Sequence, residues 1–496
     1  MKKIKKLLIA NRGEIAVRIH RSAKEMGIQT VAVYSDPDRT APHVLLCDEA
    51  YELKGTTSTE TYLNVEKILK IAKDAKVDAI HPGYGFLSEK ELFAKSVIDA
   101  GFIFIGPRPE TIELLGSKTS ARDLLSKKNI PIVPGTTKPI NTLDEAFEVA
   151  SVIGYPVLIK ASGGGGGKGM RRVDGQEELE NAIDRARNEA LNAFSDDRVY
   201  IEKYIVNPKH IEIQILADTH GNVIHLGERE CSVQRRHQKV VEECPSIALT
   251  PQLRSKMGQA AVEIAKAAGY VNAGTMEFLL DAAMNFYFLE VNTRVQVEHP
   301  ITEMVYGIDI IKEQIRIAQG ETLSLTQNEV KMNGHAIESR IYAEEYDNNF
   351  LPSMGTITHY QPSEGLGVRN DSGIRVGSEI TMYYDPMIAK LIVHGRTRNE
   401  ALEKMKRALR EYKIHGVKTT IPFCEMVVFH PEFVKGTYDI NFVAKHYLVP
   451  DSKLDKHESS AIAASFVSDG SIGPKGSEST VCKVRQSKWK QRDRDE

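Results

Sequence analysis

The chain has 496 residues, 41% hydrophobic and 27% charged, a globular composition that excludes a disordered, collagen-like or disulfide-scaffold protein. Lys and Arg total 65 against 67 for Asp and Glu, so no global basic field nominates a nucleic-acid or membrane-surface partner. Cys47, Cys231, Cys244, Cys424 and Cys482 are odd in number, scattered and without a CxxC pair, which argues against a disulfide framework or zinc site and predicts a reducing, cytoplasmic setting.

In chain order, Met1-Lys-Lys-Ile-Lys-Lys precedes an apolar run, Leu7–Ala10, that ends at Asn11-Arg12 and is too short for a signal-peptide core. No later stretch approaches the ~18 apolar residues of a membrane-spanning helix. Leu7–Ala10 reads as a buried strand and Glu14–Met26 as a helix stopped by Gly27, with Ile15, Ile19, Ala23 and Met26 on one face. A strand over Thr30–Tyr34, a helix over Asn64–Lys73, a strand at Ala79-Ile80, a helix over Glu91–Ala100 and a strand over Phe102–Ile105 follow. This alternation predicts an α/β fold with a parallel, doubly wound sheet. The first turn, Asn11-Arg12-Gly13-Glu14, has one glycine and cannot supply the G-x-G-x-x-G phosphate cradle of a dinucleotide site.

Val157–Lys160 is a compact strand followed by Gly163 to Gly167 and Lys168. Five glycines expose backbone amides that can fold over phosphates. The loop is not a Walker A motif, because Ser162 stands at the first glycine position and Gly169 follows Lys168. In a parallel α/β region, Lys160 at the strand end would face a ligand. From about 205 to 300 strands dominate. Arg235-Arg-His-Gln-Lys239 offers a cationic cluster, and Thr275–Leu280 a strand carrying Glu277. If Asp281–Phe286 is a hairpin loop, Glu277 lies opposite Glu290. The segment Glu290–Glu298, if extended, places Glu290, Asn292, Arg294, Gln296 and Glu298 on one face. Two carboxylates and an amide oxygen suit Mg²⁺, Arg294 an anion clamp, and Glu298 a general base. Plainer alternatives are a flexible linker, a surface lysine, a half-exposed strand and a solvated charge run. A helix over Ile308–Ala318, short β-like runs over 331–446, an amphipathic helix at Glu400–Tyr412 and a polar tail complete the chain.

These segments resemble the biotin carboxylases, a family of ATP-grasp enzymes. The residues that carry the resemblance are Ile9–Ala16, His81–Glu89, Lys160–Gly167, Arg235–Glu243 and Glu290–Pro300, within a match from about residue 4 to 446. It implies a Rossmann-like pre-ATP-grasp domain at 1–115 and an ATP-grasp domain at 116–330, with a glycine-rich lid at about 135–205. A β-rich biotin carboxylase C-terminal domain at 331–446 and a polar tail at 447–496 follow, making the chain α+β overall. It implies that ATP and bicarbonate form carboxyphosphate, whose CO₂ carboxylates N1 of biotin. By position, Lys118, Lys160, Gly165, Gly166, Glu202, Lys203, His210, Gln234, His237 and Leu279 match nucleotide-binding residues. Glu277, Glu290 and Asn292 match Mg²⁺ (or Mn²⁺) ligands. Lys239, Arg294, Gln296 and Val297 match the bicarbonate pocket, Glu298 the base on bicarbonate, and Arg340 the group that stabilises the biotin enolate. Arg18, Arg21 and Arg369 are similar to residues of a homodimer interface. Ser339 and Tyr342 depart from the Cys and Asn that the family often has beside Arg340.

No A-M-K-M biotin-attachment motif is present; Lys404-Met405-Lys406 falls in the amphipathic helix. The resemblance therefore implies a separate partner, a biotin carboxyl carrier protein or biotinylated carboxyltransferase subunit. Arg407–Tyr412, Gly416–Pro422 and the extension past 450 resemble the pyruvate-carboxylating branch, with the acetyl-CoA and propionyl-CoA branches as the alternative. A carbamoyl-phosphate-forming ligase would ignore biotin, and a silent scaffold would lack Glu298, Arg294 or Lys239.

Overall fold

The first strand, Lys6–Ile9, sends Leu7 and Ile9 into one apolar core and Leu8 into another, as period-2 geometry requires of a strand covered on both faces. In the computed structural model this strand is the centre of a five-stranded parallel sheet, ordered Glu49–Glu52, Gln29–Tyr34, Lys6–Ile9, Ala79–His81, Ile103–Phe104. The doubly wound expectation holds for this region. Residues 3–447 are described, except 127, 129, 137, 162–169 and 195. The glycine loop and the tail from 448 onward lie outside the described residues.

The core that takes Leu7 and Ile9 also takes Ile15 and Ile19 of the helix Gly13–Glu25 and, from far along the chain, Val295 and Ile311. At roughly 1.5–3 kcal/mol per large apolar side chain buried, this packing fixes the 293–298 segment on the first sheet. The C-terminal region also closes on that helix: a Cβ at Gly373 would stand 2.7 Å from the Glu14 main-chain nitrogen, so only glycine fits there.

The second sheet is antiparallel and eight-stranded, ordered Phe286–Asn292, Asn272–Leu280, Lys209–Ala217, Val223–Arg235, Gln238–Cys244, His335–Tyr342, Met387–Gly395, Val368–Ser372. Its strands come from both sides of residue 330, and Val241 pairs with Ser339 across that point. One core packs the helix Pro251–Ala267, capped by Thr250, against Ile211, Ile213 and Ile215. Another packs the helix Arg398–Glu411 against Ile337, Leu391 and Val393; Met405 is buried in it, so Lys404-Met405-Lys406 is helix as expected.

Two expectations are corrected. Lys160 ends a strand, Val157–Ala161, that pairs antiparallel with Met170–Val173 and Val199–Lys203, so its sheet is not a parallel α/β layer. The helices Leu143–Ile153 and Gln176–Phe194 pack on this small sheet. The extended segment proposed for 290–298 ends at Asn292. Beyond it the chain leaves the partner strand, although that strand continues from Thr275 to Asn272: Val295 turns into the core of the first sheet, and the helix His299–Tyr306 begins with Pro300 in its first turn.

Candidate active site

A cleft of about 1040 Å³ opens between the first sheet, the small antiparallel sheet and the eight-stranded sheet. The large sheet supplies its chemistry from buried polar side chains, which are tolerated only where they are paired.

The hairpin around residues 281–285 sets Glu277 opposite Glu290, as its loop length predicted, and Asn292 opposite Thr275. Glu277 Oε1 accepts from Lys239 Nζ (2.8 Å), Asn292 Nδ2 (2.8 Å) and Gln296 Nε2 (3.0 Å), and Glu277 Oε2 meets His210 Nε2 at 2.9 Å. Gln234 Nε2 donates to His210 Nδ1 at 2.8 Å, which leaves the ring N–H on the side of Glu277. Burial would raise the Glu277 carboxyl, but Lys239 and His210 hold it well below the usual range. Glu290 lines the cleft and is exposed.

Lys239 enters the cleft from the strand Gln238–Cys244, and its ammonium meets three carboxylates: Glu277, Glu298 Oε1 at 2.7 Å, and Glu212. Burial opposes its charge, yet these three carboxylates hold its pKa well above the ordinary value. Glu298 is fully buried at the head of the helix His299–Tyr306. Arg340 NH2 donates to Glu298 Oε2 at 2.9 Å, and Arg340 Nε to Glu242 Oε1 at 2.6 Å. Burial would again raise Glu298, but Lys239, Arg340 and Arg229 keep it ionised, well below the usual range. Glu298 is thus a fixed acceptor between two cations from neighbouring strands.

Arg294 donates to Asn292 Oδ1 (2.9 Å), Gln296 Oε1 (2.8 Å) and Glu89 Oε2 (2.8 Å). Asn292, Arg294, Gln296, Val297 and Glu298 therefore converge, although they do so through a loop rather than along one strand face. The cationic cluster divides. Lys239, with His237 in the hairpin turn, lines the cleft, whereas Arg235 is committed to Glu344 at 2.9 Å and lies over the Phe350 ring.

At the opposite wall Lys160 pairs with Glu202, which also accepts from Arg122. Lys203 Nζ donates to the carbonyls of Gly154 and Tyr155, both at 2.9 Å, and Leu279 lines the cleft from the large sheet. Lys118 begins the helix Lys118–Ser126, and its side chain lies outside the description, as do Gly165 and Gly166. Arg18 and Arg369 both pair with Glu303, at 2.8 and 2.7 Å, whereas Arg21 is exposed.

Sequence reasoning missed Glu212, Arg229 and Lys390. Glu212 sits in Lys-His-Ile-Glu-Ile-Gln-Ile, where polar residues alternate with isoleucines, a pattern that could have flagged one polar face of a buried strand. Arg229 is fully enclosed and holds Glu212, Gln214 and Thr302. Lys390 donates to the Val297 carbonyl at 2.8 Å.

Three family models match the chain: "Biotin carboxylase, N-terminal domain" over residues 3–112, "Carbamoyl-phosphate synthase L chain, ATP binding domain" over 117–326, and "Biotin carboxylase C-terminal domain" over 338–445. Biotin carboxylase 2 of Bacillus subtilis is 50% identical over 441 residues, covering 89% of this chain and 99% of that one. A pyruvate carboxylase subunit of Methanothermobacter thermautotrophicus is 49% identical over 451 residues, covering 91% and 92%. Among solved structures, the biotin carboxylase domain of Hydrogenobacter thermophilus 2-oxoglutarate carboxylase, a dimer in complex with MgADP, ADP and bicarbonate, superposes with a TM-score of 0.85 at 48% identity, covering 90% of this chain and 98% of that one. Campylobacter jejuni biotin carboxylase gives 0.86 at 46%, covering 90% and 99%.

Proposed function

The chain belongs to the biotin carboxylase family, and from that premise we propose that it is the biotin carboxylase subunit of a pyruvate carboxylase. It is an ATP-dependent ligase that uses bicarbonate to carboxylate biotin carried on a separate protein. The pyruvate assignment rests on the 49% identity to the Methanothermobacter pyruvate carboxylase subunit and on the resemblance of residues 407–422 and the C-terminal extension to that branch. Acyl-CoA carboxylases are the second reading, favoured by relatives such as the propionyl-CoA carboxylase alpha chain of Ruegeria pomeroyi at 47% identity.

The observation that carries the catalytic reading is the ionised Glu298 held between Lys239 and Arg340. Bicarbonate is assigned to Lys239, Arg294, Gln296 and Val297. Glu298 accepts its proton as a bicarbonate oxygen attacks the γ-phosphorus of ATP, and the products are carboxyphosphate and ADP. Lys239 and Arg294 offset the charge of two anions brought together. Carboxyphosphate breaks down to CO₂ and phosphate, the released phosphate takes the N1 proton of biotin, and Arg340, which stays cationic, favours the resulting enolate, whose N1 attacks CO₂. The donors at Glu277, Glu290 and Asn292 fit a hard cation, because they are oxygens and Glu277 is ionised; these residues would hold Mg²⁺, which would offset the charge of the polyphosphate. Lys160, Lys203, Glu202, His210 and Leu279 line the cleft and are assigned to the nucleotide, as Lys118, Gln234, His237, Gly165 and Gly166 are by the resemblance. Arg18, Arg21 and Arg369 are assigned to a homodimer contact by the resemblance, and the Hydrogenobacter relative is a dimer.

Purification of the chain with its biotinylated partner, followed by assay of the assembly, tests the acceptor. Bicarbonate- and ATP-dependent formation of a four-carbon dicarboxylate from pyruvate is expected. Carboxylation of an acyl-CoA with pyruvate inert would overturn the pyruvate assignment and leave the biotin step intact.

A further inference from the structure

Glu338 is a buried carboxyl group whose two oxygens both have no hydrogen-bond partner. It lies two residues before Arg340 on His335–Tyr342, and therefore on the same face of the sheet. Directly opposite on the neighbouring strand is Glu242. Glu242 Oε1 accepts from Arg340 Nε at 2.6 Å, but Glu242 Oε2 is also buried and without a partner. Residues so opposed have Cβ atoms roughly 4.5–5.5 Å apart, which puts their carboxyl groups within reach of one another.

The cations facing this pair are already engaged. Arg340 is shared between Glu242 and Glu298. Lys390, opposite Arg340 on the next strand, is held by the Val297 carbonyl at 2.8 Å and Glu14 at 3.2 Å. From the helix over this face, His299 directs Nδ1 to the Gln296 carbonyl, and its Nε2, without a hydrogen-bond partner, lies 4.0 Å from Glu303. An ionised Glu338 would be an uncompensated buried charge opposed to a second carboxylate, a costly arrangement. One proton removes both problems and satisfies Glu242 Oε2 and one of the two Glu338 oxygens.

We propose that Glu338 is protonated in the resting protein and donates its carboxyl O–H to Oε2 of Glu242, which makes it a positioning residue. Glu242 is thereby held toward Arg340, and Arg340 toward Glu298. Burial drives the Glu338 carboxyl well above its ordinary range despite Lys390, and with Arg340 and Glu298 acting in opposite senses it also leaves Glu242 pushed up to about 7. The inference deepens the proposed function and rests on its assignment of Arg340 and Glu298.

The test begins with infrared difference spectra of the full chain against Glu338→Gln at neutral pH. The wild type should show the carbonyl stretch of a protonated carboxylic acid that Glu338→Gln lacks, and Glu242→Gln should shift that band by changing its acceptor. In kinetics, Glu338→Ala should lower kcat for biotin-dependent ATP cleavage about tenfold with KM for ATP unchanged, because Glu242 is left without its donor. Glu338→Gln, which keeps an N–H donor, should restore kcat to within about twofold of wild type and remove the loss of activity caused by Glu338 ionising at alkaline pH. Absence of the band, a band indifferent to Glu242→Gln, or equal impairment by Gln and Ala would each overturn the proposal. If Glu338→Ala does not fold, the spectra of the Gln variants still decide it. Failure of the underlying assignment looks different: Arg340→Ala would turn biotin over normally while the band remained.

Discussion

The ammonium of Lys390 donates to the main-chain carbonyl of Val297 at 2.8 Å, tying a strand of the C-terminal region to the loop that ends in Glu298. The same ammonium lies 3.2 Å from Glu14 of the first helix, so one enclosed cation joins three distant segments. Replacing it with methionine leaves Glu14 with the Tyr84 hydroxyl but without this cation, and the carbonyl without this donor. Lys390→Met is expected to destabilise the protein by about 3–5 kcal/mol, seen as a lower urea midpoint. Its KM for bicarbonate should rise while KM for ATP changes little. An unchanged midpoint would show that the loop does not depend on this anchor.

Arg340→Ala removes the cation that Glu298 and Glu242 share. Biotin-dependent ATP cleavage is expected to fall about 10²–10³-fold in kcat, with nucleotide affinity preserved in a titration calorimeter. Normal biotin turnover would refute its role in the biotin step.

Glu277→Gln keeps the shape of the hairpin site but removes the charge that a hard cation needs. The Mg²⁺ concentration for half-maximal ATP cleavage should rise at least about tenfold, and excess Mg²⁺ should recover part of the rate. A wild-type Mg²⁺ response would move the metal elsewhere.

His43 and His81 are fully enclosed, and burial lowers their pKa values to about 4 and about 3, although Asp38 pulls His43 the other way. Both are neutral in the folded chain, whereas in the unfolded chain they take up protons below about pH 6.5. Stability should therefore decline as pH falls from about 6.5 toward 4, with His43 alone contributing up to about 3 kcal/mol. Thermal midpoints measured across that window should flatten in a His43→Asn variant that folds. An identical slope in the variant would remove His43 as a cause.

The register of Glu277 against Glu290 was legible because a short loop closes the hairpin and the pairing is local. The polar alternation in 290–298 was real, but it described convergence on a cleft rather than a strand, because past Asn292 burial of Val295 in the core of the first sheet draws the chain away from its partner strand. The parallel expectation around Lys160 failed for a related reason: alternating elements suggested crossovers, whereas the strands there fold back on one another. Lys390 looks like a single polar residue in an apolar strand, and Glu242 and Glu338 like members of short polar runs. Their meaning depends on cross-strand neighbours from distant parts of the sequence, which no local pattern encodes.

Glu298 presents one oxygen to Lys239 at 2.7 Å and the other to Arg340 at 2.9 Å. On the proposed assignment of bicarbonate to Lys239 and of the biotin step to Arg340, the place where carboxyphosphate forms and the place where its CO₂ is captured are separated by little more than the width of one carboxylate. A short-lived acyl phosphate made there has almost no transit distance over which water can intercept it, so wasted ATP should be governed by whether biotin is present rather than by how far CO₂ must travel.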